Sequence, residues 1–530
     1  MSLYRIVFSR MLIGLMALMI LAPAYGNTLR IGNTSEPNTL DPQRSQGVWE
    51  QFILDELFEP LVTHDAKGQI IPGLAREWHI SPDGKTYTFQ LRSASWSDGT
   101  PITADDAVFG LQRLLLPATA SPNANLYYSI LNARDVNTGQ QPPQSLGVKA
   151  LDAHTLVITL SEPTPYFLRE LANSYAAPLP RHTLKTLDNQ QWAQETPLVV
   201  SGPYRLAHWT PRIEVALKKN AAFYDAPNVH IDDVIFYPIE DASTSYNQFR
   251  TNGLDISYSD IPSSRLRAAR DELGDEVRVF PIFAAYTYIF NQDSKSPLHD
   301  HRLREALNLA IQRELITKRV EPIGQRASYW LVSKAMSGGV NSEMYFTHWP
   351  MDVRLERAKA LLKEAGYDAQ HPLHLELSYN SLESHRKIAV ALTAMWKPIN
   401  VNISLVNREM GSHVHTMMTG QFQIARRGTQ ANVDDPIEML SMYTTGSPDN
   451  FSHYSNPEFD RLIAESQHAL DPKARTQLLN QAQQVLLDDM AFLPIFDYTA
   501  AHLVSHRISG WEANGLNVHP IRFMQMHDKT

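Results

Sequence analysis

From residue 27 onward, apolar and polar positions alternate in short blocks that predict one element after another. Thr28-Leu-Arg-Ile31 has the period of a strand and is broken by the turn formers and proline of Asn33-Thr-Ser-Glu-Pro37. Phe52, Ile53, Leu57, Phe58 and Leu61 recur at helical spacing, in a helix predicted to stop near Pro60. Ser81-Pro-Asp-Gly84 predicts a tight turn before Thr86-Tyr-Thr-Phe-Gln-Leu91, a half-buried strand of period two. After a second turn, Trp96-Ser-Asp-Gly99, Thr103 is placed to cap a helix, and Asp105 and Asp106 suit that helix's dipole. Residues 148–151 and 155–160 predict paired strands, 199–206 a turn into a strand, and 253–257 a further short one.

The pattern changes near residue 290. Leu303, Ala306, Leu307 and Ala310 stand at helical offsets within 302–311, and further helices are predicted over 355–365 (ended by Gly366), 384–396 and 474–488. Strand-like runs at 374–378 and 401–406 separate them, so this half predicts α/β layers. No repeat of fixed period and no low-complexity tract interrupts the chain, which predicts compact, closely joined domains.

The first 26 residues break from this pattern. Arg5 and Arg10 precede an uncharged apolar run over 11–21, and Ala24-Tyr25-Gly26 places small residues at the −3 and −1 positions of a cleavage site. An export signal cleaved after Gly26 is predicted, because eleven apolar residues fall well short of the roughly 20 that a spanning helix needs. With no cysteine anywhere, neither a lipid-modified N-terminus, a disulfide framework nor a thiolate chemistry is available. The expectation is a soluble periplasmic protein, in a compartment without ATP, which makes ATP-driven enzymes poor hypotheses.

Composition narrows the class further. A chain of 530 residues with 43% hydrophobic and 19% charged residues is ordinary globular material, enough for about three domains. The formal net charge of −9 gives no support to phosphate-backbone binding, so no nucleic-acid partner is expected.

The search for chemistry returns little. There is no Walker loop, G-x-S-x-G elbow, H-E-x-x-H or strand-linked G-x-G-x-x-G. His413-Val-His415 would place two imidazoles on one strand face, and His371 with His374 forms another pair, but 20 histidines make chance pairs expected. They are read as surface residues, with no metal and no cofactor predicted. The acid pairs Asp105-Asp106, Asp434-Asp435 and Asp488-Asp489 are read as helix-end and solvated charges, and Tyr286, Tyr288 and Phe290 as strand core.

Taken in order, Leu40-Asp-Pro42, Asp55-Glu-Leu-Phe-Glu-Pro-Leu61, Pro72-Gly-Leu-Ala-Arg-Glu-Trp78, Ser81-Pro-Asp-Gly84 and Trp96-Ser-Asp-Gly-Thr-Pro-Ile-Thr-Ala-Asp-Asp106 resemble the periplasmic oligopeptide-binding proteins. The likeness continues through Gly202-Pro-Tyr204, Phe290-Asn291, Asp300-His-Arg-Leu-Arg-Glu-Ala-Leu307 and the segment 450–462. It implies an α/β fold of two lobes joined by a hinge, with a third domain inserted into the N-terminal lobe. On this division lobe I comprises 27–66, 198–290 and 500–530, the inserted domain II 67–197, and lobe III 291–499. The implied function is the solute-binding component of an ABC importer: a monomer that encloses an extended peptide and hands it to a membrane permease without transforming it.

The resemblance also implies a ligand site. Arg426 and Gly428 match the family segment A-R-x-G-W-x-x-D, Gln430 lies within it, Thr429 stands where tryptophan is usual, and Asn432 replaces the aspartate that grips the ligand's amino terminus. An amide offers only a dipole where a carboxylate offers a charge, so that anchor is expected to be weakened unless Asp434 or Asp435 takes it over. His385 matches a histidine that meets the ligand's carboxylate end, while Met417 stands where a second arginine is expected. Glu36 corresponds to a residue near the peptide on the opposite lobe, and Arg426 is alternatively read as its ion-pair partner. A carrier of amphipathic solutes, metal chelates or haem on the same scaffold is the alternative within the class. An exported hydrolase is the alternative outside it.

Overall fold

A computed structural model describes residues 28–186, 191–194, 197–259, 261–262 and 264–528. The export signal and its cleavage site lie outside the described residues. From the N-terminus, β1 (Thr28–Asn33) is followed by the hairpin β2 (Val62–His64) and β3 (Ile70–Pro72). Then come β4 (Ala75–Ile80), β5 (Thr86–Leu91), β6 (Val148–Ala150) and β7 (Thr155–Thr159), and next β8 (Tyr204–Thr210), β9 (Glu214–Lys219), β10 (Asp233–Pro238) and β11 (Ile256–Ser257). The remaining strands are β12 (Val277–Phe290), β13 (Arg326–Ala327), β14 (Leu373–Asn380), β15 (Val401–Arg408), β16 (Ile424–Gln430), β17 (Phe492–Val504) and the short pair β18 (Ile508–Ser509) and β19 (Gln525–Met526).

Local chemistry accounts for many of these elements. In β5, Tyr87, Phe89 and Leu91 point inward while the threonines and Gln90 between them stay half-exposed, as period two requires. The turn before β5 closes with the Gly84 amide donating to the Ser81 carbonyl at 2.8 Å, and Gly84 takes a φ of +70° that a side chain would resist. The helix Ala104–Leu114 starts where the Thr103 amide donates to Asp106 Oδ2 at 2.8 Å, a capping box. The helix predicted over 52–61 instead spans Val48–Leu57, because Glu50 accepts from the Gly47 amide at 3.1 Å and sets its start one turn earlier.

One mixed sheet, ordered β15-β14-β16-β12-β17-β11-β1-β10-β9-β8, runs through two lobes. At one end β1 and β10 pair in parallel; at the other β14 and β15 do, joined by the helix Glu383–Trp396 as a crossover. Among the described residues, β12 and β17 are the strands that pass from one lobe into the other. Their antiparallel ladder runs from Val277↔Leu503 to Pro281↔Thr499, is interrupted, and resumes from Ala285↔Asp497 to Ile289↔Phe492. The interruption is the hinge: Pro281 supplies no amide to the ladder, and two strands joined by few hydrogen bonds can bend there.

The hinge shifts the expected boundaries. Phe283, Ala285, Tyr286, Tyr288 and Phe290 pack in the lobe III core with Tyr329, Trp330, Leu377 and Phe492, on the near side of the expected break after 290. A strand that continues through the hinge leaves no compositional break to read. Likewise the inserted domain, built on the sheet β4-β5-β7-β6, has a core running from Leu61 to Ala176, whereas Ala177, Leu179, Leu184, Trp192 and Leu198 pack in the lobe I core. The inserted domain therefore touches lobe III directly: Arg169 Nη1 lies 2.8 Å from Asp435 Oδ2.

Candidate functional site

Strands β14, β16, β12 and β17 are neighbours in the sheet, and their side chains converge on one guanidinium. Arg426, on β16, lies over the Tyr286 ring of β12 at 4.8 Å from its centroid. Its Nη1 donates to Asn380 Oδ1 of β14 at 3.3 Å, and its Nη2 donates to the Tyr498 hydroxyl of β17. Gly428 makes this fold-back possible, since a Cβ there would sit 2.7 Å from Arg426 Nη2. Arg426 has no ion-pair partner among the described residues, and its Nε is buried without a hydrogen bond.

That arrangement corrects the pairing considered for Glu36. Glu36 accepts from Trp209 Nε1 at 2.8 Å and from the Arg212 amide at 3.1 Å, both at the β8–β9 hairpin of lobe I. The Glu36 carboxylate is held by its own lobe and not by Arg426.

His385 and His413 complete this end. His385 sits in the first turn of its helix with Nδ1 3.2 Å from the Tyr286 hydroxyl, and burial, with the Arg426 charge adding, lowers its pKa to about 3. It is therefore a neutral imidazole at every physiological pH. His413 and His415 lie on the helix Met410–Met418 and not on a strand, so two residues apart they point in different directions. His413 Nε2 bonds to the Arg426 carbonyl at 2.8 Å, which fixes the backbone beneath the guanidinium. Met417 is buried in a small apolar cluster with Ile289 and Phe422, so it offers no charge to a ligand.

From Arg426 onward β16 is paired on one side only, with β12, because β14 reaches no further than Leu377↔Ile424 and Ser378↔Ala425. Gly428 and Gln430 are exposed along this stretch, whereas Thr429 is buried on the other face. Asn432 follows, exposed, with its side-chain amide donating to Glu438 Oε1 at 2.9 Å.

The acids beyond it are not solvated helix ends. Asp435 is fully buried and accepts from Arg475 Nη1 and Nη2 at 2.8 Å each and from Arg169 across the domain boundary. Asp434 accepts from the Ser337 amide at 2.7 Å and from its hydroxyl. Asp435 is thus already neutralised by two guanidiniums, and Asp434 is engaged by Ser337. Glu438, which no motif singled out, accepts the Asn432 and Val433 amides at 2.8 Å, and burial raises its pKa to about 7. The signal in the sequence was faint: an acid after Pro436 reads as an ordinary first-turn charge.

The chain matches the family model described as bacterial extracellular solute-binding proteins, family 5 (middle), over residues 69–451. The periplasmic oligopeptide-binding protein OppA of Salmonella typhimurium is 36% identical over 488 residues, 91% of this chain and 89% of its own. The probable deoxycholate-binding periplasmic protein YgiS of Escherichia coli is 33% identical over 95% of this chain and 96% of its own. Among solved structures, Haemophilus influenzae OppA in complex with RPPGFSPFR superposes with a TM-score of 0.79 at 31% identity, covering 95% of this chain and 99% of that one. The family model matches most of the chain, and relatives above 30% identity cover nearly all of it, so the chain belongs to the bacterial extracellular solute-binding proteins of family 5.

Proposed function

We propose that this protein is the periplasmic receptor of an ABC importer, enclosing a peptide or peptide-like solute between its lobes and delivering it unchanged to an inner-membrane permease. The observation that carries the reading is β16, paired on one side only from Arg426 to Gln430. An extended peptide can add to such an edge as a strand, which gives affinity through main-chain hydrogen bonds and leaves side chains to roomier, wetter space. Arg426, over Tyr286, would receive a carboxylate at one end of the ligand, with the neutral His385 beside it. Glu36, Gly428, Thr429, Gln430 and Asn432 complete the proposed contact set. The protein is proposed to act as a monomer.

The relatives' names point to two ligand classes, peptides for OppA and deoxycholate for YgiS. Deoxycholate carries a single negative charge and no ammonium group, so it would use the Arg426 end alone and leave Glu170 and Glu438 without a partner. Native mass spectrometry of protein purified without denaturation tests the reading: a co-purifying mass that fragments as a peptide supports it, and a steroid mass at full occupancy contradicts it.

A further inference from the structure

Between the inserted domain and lobe III lies a cavity of about 330 Å³, bordered by Asn123, Tyr166 and Glu170 on one side and by Asn432, Glu438 and Ser441 on the other. Glu170 is only 6% exposed, and its Oε2 accepts no hydrogen bond. Glu438 faces the same space from the opposite body. Neither carboxylate has an ion-pair partner among the described residues.

The neighbouring acid shows what is missing. Asp435, equally buried, is matched by both Arg475 and Arg169. At Asp435 the cost of an unpaired buried charge is thus met by cations from the chain itself. Glu170 and Glu438 are given none. Burial first, and then the charges of Glu438 and Asp435, push the Glu170 carboxyl well above the usual range, a penalty that a cation placed beside it would offset.

We propose that this cavity receives a primary ammonium group of the captured solute, held between Glu438 of lobe III and Glu170 of the inserted domain. The inference rests on the peptide reading above and adds to it the residues that select the ligand. Because the two acids belong to different bodies, the ammonium contacts both only when lobe III stands against the inserted domain, so its binding favours the closed arrangement. The charge that Asn432 lacks is supplied from six residues further along the chain and from a second domain.

The test uses the full mature protein and three pools of tri- to pentapeptides: lysine- and arginine-free with free amino termini, the same pool N-acetylated, and an N-acetylated pool containing one lysine. Retention is read by native mass spectrometry. The wild type is expected to retain the first pool at least tenfold better than the second, and Glu438→Gln and Glu170→Gln, which keep shape, are each expected to reduce that preference to near parity. Rescue of the acetylated peptides by lysine identifies a side-chain ammonium as an equivalent source, and its failure identifies the chain terminus. Equal retention of all three pools, with both variants behaving as wild type, overturns this inference and leaves the peptide reading standing. Retention of no pool by the wild type overturns both. If either variant fails to fold, the wild-type comparison of the first two pools still decides.

Discussion

Arg426 stands over Tyr286, 4.8 Å from the ring centroid, and its guanidinium donates to Asn380 on β14 and to Tyr498 on β17 of the same sheet. A planar cation stacked on a ring and pinned by two oxygens has little freedom left to lose when a carboxylate arrives. Arg426→Lys keeps the charge and loses both the stack and the fork. It is expected to weaken binding of carboxylate-ended peptides about tenfold, roughly 1.4 kcal/mol, by titration calorimetry. Gly428→Ala, whose Cβ would crowd the Arg426 Nη2, is expected to do the same with little change in melting temperature. Unchanged affinity in both variants would remove Arg426 from the site.

Asp435 ties three segments together through one buried carboxylate. Asp435→Asn leaves the Arg475 guanidinium, itself largely buried, without its counter-charge, and is expected to cost roughly 3–5 kcal/mol in urea denaturation. Arg169→Ala removes only the partly exposed arm from the inserted domain and is expected to cost less than about 1 kcal/mol. Equal losses in the two variants would mean that the inter-domain arm carries more than its exposure implies.

Much of this fold is legible in the sequence, and the exceptions have physical causes. The turns at Gly84 and Gly99, the cap at Thr103 and the alternation of β5 are local rules, and the structure keeps them. His413-Val-His415 was read as a strand because alternation over three residues cannot distinguish a strand from a helix; Glu409, accepting from the Ser412 amide at 3.2 Å, starts a helix there. The hinge did leave a trace: β12 runs 14 residues, well beyond the usual five or six, as a strand shared by two lobes must. The site was legible only in part. Arg426, Gly428 and His385 stood in a recognisable segment, whereas Glu170 and Glu438 come together only through the packing of two domains, which no spacing along the chain encodes.

Buried acids in lobe I give the protein a pH dependence of its own. Burial raises the Glu56 carboxyl to about 8 and Asp55 to about 6, while burial lowers His64 and His502 to about 4. The histidines, neutral when folded, add stability as pH rises from about 4 to their ordinary 6.5. Glu56 acts in the opposite sense: its folded pKa lies above the ordinary value, so stability present at low pH is lost as pH rises toward 8. A decline between pH 6.5 and 8.5 is therefore expected in urea denaturation. Glu56→Gln, which keeps an acceptor for the Ile521 amide at 2.8 Å, should flatten it and gain on the order of 2 kcal/mol at the upper end. A variant with the same slope as wild type would assign the decline elsewhere.

The break in the β12–β17 ladder between Pro281 and Ala285 is where the two lobes are proposed to swing together about a captured solute. Small-angle X-ray scattering of the mature protein, stripped of cargo by denaturation and refolding and then saturated with a retained peptide, tests it most directly. A smaller radius of gyration and a shorter maximum dimension on saturation are the predicted result; superimposable curves at proven full occupancy would contradict it.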